Sequence, residues 1–373
     1  MKPSFFLTMD SDPAAPRIGL REIARCLGLS HVTVSLALRD SPRVSASTKE
    51  RIKKAADEMG YRPDPMLSAL AAYRSRRTTP AIHSVAAWIN AWADLEELRG
   101  YKEFDLYWKG ASECAAKFGY RLEEFRLHKQ MTPRRLHQIF RARNIRGILL
   151  PPHGPYQLDW QDFPWDEYSV ARFGRSLKFP AAHLVTADQL ANTYLAVAEM
   201  RKRGYRRIGL ITFAIDLDPL GSHFTSGFLS ARELLDSEDS LPIFCIEEPV
   251  TSDLVARFHR WMDKEKPDAL LSTVEHKILL RDAGYRVPED IAVAATSILD
   301  GGVDSGIDQH PEEIGHVGFL LLYSLIHDGE RGIPEIFRQI LVEGSWVDGT
   351  SLPDRRETGV SAHGDGDRAD LPV

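Results

Sequence analysis

Thirteen arginines and lysines fall between residues 17 and 79, against six aspartates and glutamates. That segment carries +7, and the rest of the chain carries −13 of a total of −6. Basic side chains at that density attract a polyanion such as the phosphate backbone of a nucleic acid, and an acidic remainder stays off it. The chain offers no competing chemistry. It has no G-x-S-x-G and no H-E-x-x-H. His310, His316 and His327 have no other ligands clustered with them, and GDGD at 364–367 sits on no strand–helix junction. DGGVDSGID (300–308) spaces acids four apart but lacks the order and closing Glu of a calcium loop. Cys26, Cys114 and Cys245 form no C-x-x-C pair, so neither a zinc site nor a disulfide framework is expected. The expectation is a protein that is no enzyme and has no cofactor and no metal.

The elements that must position the basic groups can be read from spacing. Leu20, Ile23, Ala24 and Leu27 recur at the period of one buried helix face. Gly28 supplies a tight turn, and Ser30 is a good N-cap for a second helix that sends Val34, Ala37 and Leu38 inward. Helix, short turn with Gly, helix is the helix-turn-helix arrangement, although an ordinary αα-hairpin has the same spacing. Ser47 with Glu50 matches a capping box, which starts a third helix near Thr48; it runs to Met59 and stops at Gly60. Pro63 and Pro65 then fix an extended approach, and Asp64 caps a short helix with Met66, Leu67, Leu70 and Ala71 as its apolar stripe. Such a helix is too short to be stable alone.

The run IGLREIARCLGLSHVTVSLALRDSPRVSASTKERIKKAADEMGYRPDPMLSAL (Ile18–Leu70) resembles the DNA-binding headpiece of the lactose/galactose-repressor (LacI/GalR) family. GLSHVTVS, SPRVSASTKERI and GYRPDP are its most specific pieces. The resemblance implies that His31, Val32, Ser35 and Leu36 face base edges. An imidazole can donate to guanine, and a valine can touch a thymine methyl. A relative carries Arg at the position of Leu36, so its base preference does not transfer. His31 could instead meet phosphate or solvent. Ser30, Thr33, Ser45, Thr48 and Arg51 are expected on phosphates. Residues 63–80 look like the family's hinge helix, with Met66, Leu67 and Leu70 in the minor groove and Leu70 as the wedge. A linker helix packed on its own body is the alternative.

With 373 residues, 43% hydrophobic and 27% charged, the chain reads as a soluble globular protein of two or three domains. The start MKPSFFLTMDSDP has no signal-like apolar run, so a bacterial cytoplasmic, nucleoid-associated protein without membrane contact is expected. From Ala81 onward, short apolar runs alternate with helical stretches, which argues for parallel βαβ units and doubly wound sheets. The expected class is therefore α plus α/β. A helix-turn-helix headpiece (17–62) and hinge (63–80) follow a disordered extension (1–16). By resemblance, 81–348 forms a two-lobed periplasmic-binding-protein-like body. Lobe 1 takes about 81–178 and 309–332, lobe 2 takes about 180–306 and 335–348, and 349–373 is a disordered tail.

Ligands of open α/β sheets sit beyond the carboxyl ends of strands, here a cleft between lobes. Strand ends place Asn90, Trp92, His153, Arg172, Asp188, Phe213, Asp216, Glu275 and Ser297 there. Sugar- and purine-binding relatives use an Arg before a Gly-aromatic pair, an Asn-Asp pair, and an Asp after a strand. This chain has Phe224, Val274–Glu275 and Thr296–Ser297 at those places. Either the small-molecule effector differs from the family's usual carbohydrate, or there is none and the regulator answers to a protein partner. The resemblance implies a repressor acting as a homodimer, or a tetramer, on a pseudo-palindromic double-stranded DNA operator.

Overall fold

The computed structural model describes residues 20–38, 44–59, 84–92, 94, 96–127, 131–152, 160, 162–177, 179–213, 223–235, 239–246, 251–273 and 277–356. Contacts divide the chain into two units, 1–79 and 80–373, each considered by itself. The first holds α1 (Leu20–Leu27), α2 (His31–Leu38) and α3 (Ala46–Glu58). Ile23, Ala24, Val34, Ala37, Ile52 and Ala56 meet in its core, as their helical spacing requires. Gly28 at φ +65 turns the chain, and Leu29 N donates to Ala24 O at 2.9 Å. The cap of α3 is Ser45 rather than Ser47. Ser45 is extended (φ −62, ψ 150) and its Oγ accepts from Thr48 N at 3.4 Å, so Ser47 already lies inside the first turn.

The second unit carries two six-stranded sheets. β1 (Ser84–Asn90), β2 (Tyr120–Arg126), β3 (Gly147–Leu150), β4 (Ser169–Phe173), β5 (His183–Ala187) and, from far along the chain, β11 (Gln339–Val342) make the first, ordered β11-β5-β4-β3-β1-β2 and wholly parallel. β6 (Ile208–Phe213), β7 (Phe244–Ile246), β8 (Ala269–Ser272), β9 (Ala292–Ala295), β10 (Gly306–Asp308) and β12 (Ser345–Val347) make the second, ordered β12-β10-β9-β8-β6-β7 with β12 antiparallel. The central strands are covered on both faces, which is why they read as nearly continuous apolar runs, whereas the edge strands β2, β11 and β12 do not share this burial. On the first sheet, Trp88 meets α4 (Lys102–Lys117) and α10 (Pro311–Asp328), while Ile89 meets α5 (Pro133–Ala142). On the second, Leu210 faces α6 (Gln189–Lys202) and α7 (Phe224–Ala231), and Ile211 faces α8 (Ser252–Glu265) and α9 (Lys277–Asp282).

Helices α4 and α10 touch backbone to backbone. A Cβ on Gly110 would lie 1.9 Å from Glu312 O, and one on Gly315 would lie 2.1 Å from Tyr107 O. Only glycine on both sides permits this approach.

The structure redraws two sequence-based boundaries. β5 and β11, expected in the second lobe, belong to the first sheet: β5 pairs with β4 on one side and β11 on the other, buried throughout. The chain therefore crosses between lobes at Asp188, at Gln309–His310 and at Glu343–Gly344. The segment 349–356, expected in a disordered tail, packs on the second lobe. Asp304 accepts from Thr350 N and Ser351 N at 2.9 and 2.8 Å, Val293 N donates to Ser351 O, and Leu352 enters the core at 3% exposure. Residues 1–19 and 357–373 lie outside the described residues. Leu352→Ala is expected to destabilise the body by about 2–5 kcal/mol through the cavity it leaves; thermal unfolding of the full chain measures this.

Candidate nucleic-acid interface and inter-lobe cleft

In the headpiece the first turn of α2 presents His31 and Val32 to solvent, Val32 at 53% exposure, while Val34 and Ala37 anchor the opposite face. Ser35 is half-buried. So is Leu36, which packs against the headpiece core and is less available to a partner than its helical position suggested. The small hydroxyls work in pairs. Ser30 Oγ accepts from Thr33 N at 3.0 Å and shares a 2.8 Å hydrogen bond with Thr33 Oγ1; Ser45 and Thr48 repeat the pair at 2.8 Å. Each pair marks a helix N-terminus, where free N–H groups and the helix dipole favour an anion. Arg51 donates to Leu27 O at 3.3 Å, closing the end of α1 while remaining exposed. Met66, Leu67 and Leu70 lie outside the described residues.

In the body, the expected cleft residues divide by what their hydrogen bonds already do. Asn90 is fully buried, with Nδ2 donating to Glu124 Oε1 (3.0 Å) and Oδ1 accepting from Trp92 N (3.1 Å). Trp92 is 7% exposed and donates through Nε1 to Pro152 O at 2.8 Å. Arg172 donates to Ala182 O, Gly174 O and Leu177 O, so it staples the loop after β4; burial holds its pKa down to about 10. These three serve the framework. Phe213 packs on the second-lobe core. Asp188 caps α6, its Oδ1 accepting from Ala191 N at 3.0 Å, at the first crossing between lobes. Phe224 opens α7, and Ser297 follows β9. His153, Asp216 and Glu275 lie outside the described residues.

Two groups of residues that the sequence did not single out join the lobes. The first lies at Ser297. The start of α4 has no side-chain cap of its own. Asp300, from the second lobe, supplies one: its two oxygens accept from Lys102 N (3.1 Å) and Glu103 N (3.2 Å). Glu103 hydrogen-bonds Ser297, and its Oε1 is fully buried without a partner. Burial first, then the charges of Asp300 and Asp308, push its pKa up to about 7, against the opposing pull of the Ser297 hydrogen bond. The second group, Arg175 with His223, gathers around Asp188. Arg175 lies three residues beyond the expected Arg172, and His223 one before Phe224. Only a fold that brings β4 and α7 to one cleft makes them neighbours.

The folded state holds the Glu103 proton more tightly than the unfolded chain does. Stability is therefore undiminished below about pH 4.5, falls as pH rises, and has lost the whole contribution above about 7. Glu103→Gln is expected to flatten this slope in the Tm and to stabilise the protein at pH 8 by at most about 3 kcal/mol, with no gain at pH 4.5. Thermal unfolding across that range measures it.

Residues 19–64 match the family model for bacterial regulatory proteins of the lacI family, and residues 197–352 match the periplasmic binding protein-like domain. The regulator KdgR of Bacillus subtilis is 22% identical over 331 residues, covering 85% of this chain and 93% of its own. The NTD biosynthesis operon regulator NtdR of the same organism is 22% identical over 281 residues, covering 73% and 80%. The repressor CytR of Escherichia coli is 24% identical over 217 residues, covering 57% and 58%. Among solved structures, the regulator CelR in complex with cellobiose superposes with a TM-score of 0.52 at 20% identity, over 90% of this chain and all of that one. A probable maltose operon repressor from Staphylococcus aureus gives 0.53 at 11% identity, over 74% and 99%. No described helix is long and apolar enough to cross a membrane. The chain thus joins a headpiece of the lacI family of bacterial regulatory proteins to a periplasmic-binding-protein-like body, the pair of domains found in the LacI-type DNA-binding transcriptional regulators it resembles.

Proposed function

We propose that this regulator is a cytoplasmic repressor that binds a pseudo-palindromic operator as a homodimer and is modulated by a small molecule in the inter-lobe cleft. The carrying observation is α2: His31 and Val32 stand free on its first turn, while the capped turns beside them leave helix N-termini for phosphate. Base readout falls on His31 and Val32, with Ser35 and Leu36 at the margin. Ser30, Thr33, Ser45, Thr48 and Arg51 fix the register on the backbone. The hinge segment 63–80, outside the described residues, folds over the minor groove when two copies meet, and Leu70 is its wedge.

Footprinting on a selected operator tests the assembly. Two-fold protection with steep salt dependence is expected, and an asymmetric footprint contradicts it. His31→Ala is expected to lower the preference for operator over non-specific DNA by about 1–3 kcal/mol at one symmetric pair of positions, leaving non-specific binding intact. Leu70→Ala is expected to bend the operator less, as read by circular permutation of the site in gel shifts. Full bending would remove the wedge from the mechanism.

A further inference from the structure

We propose that the cleft takes an oxyanion, a carboxylate or phosphate group on a small polar metabolite, between Arg175 of the first lobe and His223 of the second. This rests on the reading that a small effector binds the cleft, and names its chemical class. Arg175 lies just beyond the carboxyl end of β4 and His223 at the start of α7, beyond the carboxyl end of β6; the charge of Asp188, at the end of β5, acts on both. These are the strand ends at which open α/β sheets bind ligands. The arrangement has three physical marks of an anion site.

The first is a donor without an acceptor. Arg175 is partly buried; one terminal nitrogen donates to Gln339 Oε1 at 2.7 Å, but its Nε is buried and has no partner. A desolvated guanidinium N–H left unpaired costs free energy that an incoming oxygen removes. The second is the balance of charge. Arg172 and Arg175 lie close enough to repel one another, and the carboxylate of Asp188 is the opposing charge that Arg175 feels. Asp188 already spends an oxygen on capping α6. The site is electropositive, and His223 registers it: burial, then Arg175, lowers its pKa, with Asp188 opposing. The third is enclosure: Arg175 comes from the first lobe, and His223 with the adjoining Phe224 from the second. Phe224, half-buried, leaves an apolar wall beside His223. A neutral sugar would leave the excess positive charge uncompensated, whereas an oxyanion neutralises it and ties the two lobes together.

The test uses the full chain, with thermal unfolding and titration calorimetry against D-gluconate, D-glucose 6-phosphate and neutral D-glucose. A Tm rise with one anion and none with glucose is expected, because a ligand held only by the folded state stabilises it. The responding anion tells carboxylate from phosphate. Arg175→Gln is expected to weaken that anion at least tenfold, Arg175→Lys less, and His223→Asn measurably, with operator binding of the unliganded variants retained as the control for folding. A glucose response unaffected by Arg175→Gln would overturn the oxyanion while leaving a cleft effector standing. Silence toward both anions also overturns it, and silence toward all three compounds removes the cleft effector as well. The footprint on DNA is independent of either result.

Discussion

The body is governed by the three strands of chain that pass between its sheets. At the first crossing Asp188 N donates to Val342 O (2.8 Å), and at the third Gly344 N donates to Asn192 Oδ1 (2.7 Å), so these two crossings are hydrogen-bonded into one strap. At the second, His310 takes a left-handed conformation (φ 52), and Gln309 Nε2 reaches back to Thr296 O at 2.7 Å. With each strand committed to one sheet, these crossings are the points about which the lobes can change their relation. A packed sheet does not deform continuously, so motion concentrates at such hinges.

This constraint gives the cleft its electrostatic character. Groups held at strand ends on opposite lobes are desolvated by each other when the lobes lie together. Glu103 meets Asp300 and Ser297 in one group, and in the other the charges of Arg175 and Asp188 act on His223. One group is acidic with a carboxyl oxygen lacking a partner; the other is basic with a guanidinium nitrogen lacking one. Buried polar groups in native proteins are almost always paired. Each of these two buried atoms therefore costs the fold stability as it stands.

Much of the headpiece was legible because its signals are local. A 3.6-residue period, a glycine at a positive φ and serines that cap helices all act within one or two turns. Even there Ser45 and Ser47 were rivals for one role, and only backbone dihedrals separate them. The sheets were legible as texture but not as membership: β5 and β11 are as apolar as their neighbours, and nothing in five or four residues tells which sheet will hold them. The strand-end rule brought Asn90, Trp92 and Arg172 to the right region. It could not show that their hydrogen bonds would turn inward. Asp300 and Glu103 escaped notice because their partnership spans 197 positions and involves a backbone N–H that every residue carries.

The close approach of Gly110 to Glu312 and of Gly315 to Tyr107 has a mechanical consequence. At these two points α4 and α10 meet main chain to side-chain-free glycine, so no side chain there can flex and absorb a displacement. Asp300 grips the first turn of α4 from the neighbouring lobe. The first turn of α4 is thereby tied through main-chain contact to α10, a helix of 18 residues, about 27 Å long.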